Sequence, residues 1–236
     1  MPVRGLAPLL DGVFGRSPRE HRESDQAFRR RRTVVAVTGV VGTALLGRSL
    51  SRPPGSSSFY AHTAAVAATW VVGGAAAGRL HLGYEPPAAG HRPLAVPIAT
   101  GAAAFAGLYG CARIARHVPV LAGAVRSVLA YADKGDSRAV LVTALVSGAA
   151  EEVFFRGALY AAVPEGRQVP VTAAAYTATT LATRNPSLVL AAGGMGTLFA
   201  LQRRATGGIQ ASTITHLVWT TLVLRFLPPL FADPPD

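Results

Sequence analysis

Eight apolar runs, at about 33 to 49, 59 to 78, 94 to 112, 118 to 131, 139 to 163, 169 to 183, 186 to 202 and 208 to 231, are separated by short connectors. This alternation is the strongest constraint on the fold. A simple membrane span needs about 20 apolar residues, and most of the runs approach that length. The runs at 118 to 131 and 169 to 183 are shorter, and Arg126 sits in the first of them. Each of those two is expected to be interfacial, re-entrant or shielded by its neighbours. The connectors at 51–58, 83–87, 133–136, 164–166, 184–186 and 203–208 carry Pro, Gly, Ser, Asp or Asn and read as turns. No internal repeat and no second soluble domain is visible. The expected fold is therefore all-α, a polytopic transmembrane helical bundle of about six to eight helices.

Composition supports a membrane class, because half the residues are hydrophobic and only 15% are charged. A soluble all-α protein is the alternative. Against it, residues 139–150 carry no charge and residues 208–231 carry only Arg225 and His216. A soluble amphipathic helix would show a charged face. The net charge of +11 is uneven: residues 1–32 hold eight Arg against four acids. A basic segment ahead of the first span is retained in the cytoplasm and attracted to anionic lipid. The segment 1–32 is expected to be a cytoplasmic tail and 33–236 the membrane domain. The polar segment is too long for the start of a cleavable signal, so the first run is expected to be a retained anchor. Basic tails also bind nucleic acid, but this one lacks interleaved aromatics and no nucleic-acid module follows it, so no nucleic-acid partner is expected. The single cysteine, Cys111, excludes an intrachain disulfide framework.

Of twelve acids, ten fall in the tail, the connectors or the carboxyl end; Glu151 and Glu152 alone sit inside an apolar run. An ionisable group within a span is costly, which makes it a functional candidate by default. On a helix, residues four apart share a face, so Glu152 is expected to pair with Arg156 while Glu151 faces Phe155 and stays free. A free carboxylate in apolar surroundings suits a general base that activates water. The alternative is that both acids pair with Arg156 and nearby donors merely to hold helices together. A second polar site lies in the last run, where His216 and Thr220 share a helical face. Beside a buried carboxylate pair, His216 is a candidate catalytic or oxyanion-stabilising group.

The EEVFFR at 151–156 resembles the EExxxR motif of the CPBP family, the CAAX prenyl and bacteriocin-processing intramembrane proteases. His216, about sixty residues downstream, fits the family's last HxxxN or HxxxD motif, with Thr220 at the Asn or Asp position. The resemblance covers roughly 95–231. It implies a bundle of about eight helices, the base role for Glu151 and the oxyanion role for His216. The family's middle motif, FxxxH, has no counterpart histidine here: the nearest match runs from Tyr176 to Thr180, with Thr180 at the His position. Zinc hydrolases commonly use three protein ligands. One His and two Glu, one of them held by Arg156, make a poor set, HExxH is absent, and neither a metal nor another cofactor is expected.

The expected function is thus that of an intramembrane endopeptidase cleaving a membrane-embedded or prenylated substrate. A catalytically impaired relative acting as a membrane binding or immunity protein is the alternative. A transporter or channel fits less well, because the intramembrane polar residues gather in one place. From the eight Arg before residue 33 follows the expectation that the protein stays with membranes through carbonate extraction and that a reporter at its amino terminus reads cytoplasmic. A reporter found outside contradicts this topology.

Overall fold

The computed structural model describes residues 23–83 and 94–232. Most of the basic segment (1–22), most of the 83–87 connector and the acids of the carboxyl end lie outside the described residues. Every apolar run is helical, and no strand occurs among the described residues. The helices are α1 (Asp25–Ser49), α2 (Ser57–Ala77), α3 (Ala95–Ala115), α4 (Pro119–Asp133), α5, α6 (Gln168–Thr180, with a 3-10 turn Leu181–Thr183), α7 (Pro186–Thr206) and α8 (Gln210–Phe226), followed by a last turn Pro228–Phe231. Helix α5 is a composite: Ser137–Glu151, then a π-wound segment Glu152–Leu159, then a final turn Tyr160–Ala162. Helix α3 is, among the described residues, the one helix long and apolar enough on its own to cross a membrane.

Among the described residues, four of the helices are started by side-chain caps. Ser24 accepts from the Ala27 amide and Ser56 from the Phe59 amide. Asp136 accepts from the amides of Arg138 and Ala139, and Asn185 from those of Ser187 and Leu188 ahead of Pro186. These side chains satisfy amide donors that the first turn of a helix leaves open. Because Ser24 is such a cap, α1 starts at Asp25 and takes in Arg29 to Arg32, which the sequence reading gave to the tail. Helix α7 ends on Gly207, whose φ of 69° is left-handed and suits glycine.

Helix α4 lies across one end of the bundle. The Tyr131 hydroxyl reaches the carbonyls of Leu50 and Arg52, each at 2.8 Å, and Asn185 Nδ2 donates to Ala124 O at 2.8 Å. The middle of α4 thus packs where α7 begins, and its carboxyl-terminal turn where α1 finishes. Helix α6 instead packs beside α7 and reaches the second half of α1, where the Thr43 hydroxyl donates to that of Thr179. At the opposite end, Ile209 N donates to His81 O and Gln210 N to Leu82 O, each at 3.0 Å, tying the chain after α2 to the start of α8.

Small residues let the helices approach. Gly42 of α1 lies against the Trp70 ring and Gly73 of α2 against Thr38. Trp70, 1% exposed, stacks on Phe154 of α5 with centroids 4.6 Å apart. The core built on this contact includes Val35, Val66, Phe155 and Ala158. The π-wound segment touches α1, α2, α6, α7 and α8, and Phe154 to Ala158 are all buried in it. It is the axis around which the other helices pack. Since a Cβ at position 42 would overlap the Trp70 ring, Gly42→Val is expected to lower stability by about 1–3 kcal/mol, seen as an earlier thermal transition in detergent.

Candidate functional site

The site lies midway along α5. Glu152 and Arg156 are both fully buried, and Arg156 Nη1 donates to Glu152 Oε1 at 3.3 Å. This is the pair expected from the four-residue spacing. The same oxygen also meets His216 Nδ1 of α8 at 3.1 Å. An ionised carboxylate only accepts hydrogen bonds, so beside Arg156 the imidazole proton sits on Nδ1 and Nε2 is the atom left for other work. His216 is 5% exposed and stacks on Phe199 of α7, centroids 4.7 Å apart. Gly148, one turn before Glu152, makes room for it: a Cβ there would stand 3.3 Å from Nε2.

Arg156 ties α5 to two other helices, α6 and α7. Its Nη2 donates to Gly196 O of α7 at 3.0 Å, and its guanidinium lies over the rings of Tyr176 at 4.6 Å and Phe199 at 5.0 Å. The Arg156 carbonyl, within the π-wound segment, accepts from Arg203 Nε at 2.8 Å. π-Winding is rare and is often found at functional sites. Here it places Glu152, Arg156 and their backbone toward three different helices.

Glu151 is half-buried and was expected to stand free beside Phe155. It is instead bonded: the Tyr176 hydroxyl of α6 donates to Glu151 Oε2 at 2.7 Å. Glu151 also lines a cavity of about 220 Å³ that reaches toward the α4 end and is bordered by Thr63, Tyr131 and Ser147. Ser147, one turn before it on α5, has a buried hydroxyl with no hydrogen-bond partner among the described residues. The carboxylate at hydrogen-bond distance from the imidazole is Glu152.

The structure does not draw Thr180 and Thr220 into this cluster. The Thr180 hydroxyl donates to the Tyr176 carbonyl of its own helix at 2.9 Å. Thr220 is half-buried one turn beyond His216. Tyr176, Phe199, Arg203, Gly148 and Gly196 were not singled out as site residues in the sequence. Only Tyr176 had a signal there, as the residue aligned with the Phe of FxxxH. No set of three His, Cys, Asp or Glu side chains is grouped to hold a metal ion among the described residues. The donors present also fit zinc poorly, because Glu152 Oε1 and His216 Nδ1 are bonded to each other and Glu152 is held by Arg156.

Fold and site together define an all-helical protein with an ion-paired carboxylate–imidazole cluster inside its bundle. Residues 136–222 match the family described as type II CAAX prenyl endopeptidase Rce1-like, so the resemblance read from EEVFFR and His216 holds. The matched stretch runs from the Asp136 cap into α8 and includes every residue of the cluster. No curated protein and no solved structure matches the chain.

Breaking one partner of a buried ion pair strands the other and commonly costs about 3–5 kcal/mol. Glu152→Gln and Arg156→Ala are each expected to lose that much stability in detergent, whereas Glu151→Gln, at a half-buried position, loses far less. Equal losses for Glu151→Gln and Glu152→Gln in thermal unfolding contradict this division.

Proposed function

We propose that the protein is a polytopic membrane endopeptidase that hydrolyses a peptide bond of a membrane-embedded or prenylated substrate with water activated at Glu151. The observation that carries the proposal is the pairing of a half-buried carboxylate on a cavity with a buried Glu152–Arg156–His216 cluster, inside the segment matching the endopeptidase family. Membrane embedding is supported by the outer surface. Val40 of α1, Val72 of α2, Val96 of α3 and Leu190 of α7 are 65–73% exposed, an arrangement that suits lipid and is unfavourable in water. The amino terminus is assigned to the cytoplasm from the basic segment at 1–32.

The chemistry divides as follows. Glu151 takes a proton from water as the water oxygen bonds to the scissile carbonyl carbon. His216, its Nδ1 committed to Glu152, offers Nε2; when protonated, that N–H donates to the oxygen of the tetrahedral intermediate. The proton held by Glu151 passes to the departing nitrogen as the C–N bond breaks. Glu152 and Arg156 keep the imidazole and α5 in register. With Thr180 in place of an imidazole, no second histidine flanks Glu151. That favours a second reading, in which the chain holds a membrane peptide without cutting it.

The deciding experiment offers the purified protein in detergent a panel of prenylated and unprenylated membrane peptides and follows products by mass spectrometry. Cleavage is expected in the wild type, and Glu151→Gln is expected to lose roughly 10² to 10⁴ in rate, the usual worth of general base assistance. Binding without cleavage favours the second reading, and equal cleavage by Glu151→Gln removes Glu151 from the chemistry.

A further inference from the structure

Every other acid–base contact of the site joins α5 to α8 or to itself; the Glu151–Tyr176 contact joins it to α6. At 2.7 Å it is a short hydrogen bond with a charge-accepting partner. The phenol ring is fixed on both sides. Phe155 meets it edge-on with centroids 5.0 Å apart, and the Arg156 guanidinium lies 4.6 Å above it. On α7 a Cβ at Gly196 would come within 3.0 Å of Tyr176 Cδ1, so the absence of a side chain there admits the ring. A packed aromatic therefore aims one hydroxyl at one oxygen of the carboxylate that faces the cavity.

We propose, on the hydrolase reading above, that Tyr176 is a positioning residue for Glu151: its hydroxyl fixes Oε2 and leaves Oε1 as the oxygen that takes the proton from water. The tyrosine keeps its own proton throughout. Water gives one proton to Oε1, the hydroxide oxygen bonds to the carbonyl carbon, and that proton leaves with the amine. The hold on the carboxylate that a free glutamate lacks comes from α6 through a phenol.

Tyr176→Phe removes the hydroxyl and retains the ring beneath Arg156, so the fold should persist and the thermal transition should stay close to that of the wild type. The expected result is a fall in kcat of about 10- to 100-fold, the worth of one charge-assisted hydrogen bond, with KM nearly unchanged because no substrate contact is lost. A second readout needs no activity: labelling of Glu151 by an apolar carbodiimide, followed by peptide mass spectrometry, should differ at least about threefold between wild type and Tyr176→Phe once Oε2 is released. Unchanged kcat, or unchanged labelling, overturns the proposal. A changed labelling rate in a protein that cleaves none of the peptides sinks the hydrolase reading while keeping the hold of Tyr176 on Glu151.

Discussion

The Glu152 carboxylate sits with no exposure to solvent and shares one oxygen between Arg156 and His216. Buried charges persist only when paired and hydrogen-bonded. Much of the interior is arranged around this one. Arg156 reaches Gly196 on α7, lies over Tyr176 on α6 and Phe199 on α7, and its carbonyl is taken by Arg203. The imidazole brings in α8, stacked on Phe199 and seated against Gly148. Four helices thus share one charge pair, which fixes their register as apolar packing of Ala, Val and Gly alone would not.

That arrangement frees Glu151 for a different task. Its neighbour in sequence absorbs the structural demand, so Glu151 keeps one hydrogen bond, to Tyr176, and an open side toward a cavity. Two adjacent carboxylates on one helix point into different surroundings, and on the proposed reading that difference separates anchoring from chemistry. On the outer surface, branched aliphatic side chains such as Val40, Val72, Val96 and Leu190 are exposed, while Glu152, Arg156 and Arg203 are charged groups buried inside.

The eight apolar runs were legible because most are closed by residues with local turn or cap chemistry, and each became a helix. The Glu152–Arg156 pair was legible because residues four apart share a helical face. Three features were not. The start of α1 at Asp25 depends on the Ser24 cap inside a charged stretch that reads as a tail. The π-winding from Glu152 to Leu159 has no sequence signature, and the segment packs against five helices. The partners of the acids across helices, Tyr176 for Glu151 and His216 for Glu152, depend on how the helices rotate against one another, which no single helix encodes. Thr180, set by the resemblance at the His position of FxxxH, donates its hydroxyl to the Tyr176 carbonyl of its own helix.

The most direct test of this account is the tautomer of His216. Nitrogen-15 NMR of histidine-labelled protein in bilayers, with His216 assigned by loss of its signals in His216→Asn, reads the two ring nitrogens separately. The account predicts a proton on Nδ1, donated to Glu152, in both the neutral and the charged ring, and loss of that signature in Glu152→Gln. A neutral imidazole carrying its proton on Nε2, with Nδ1 bare, would contradict it.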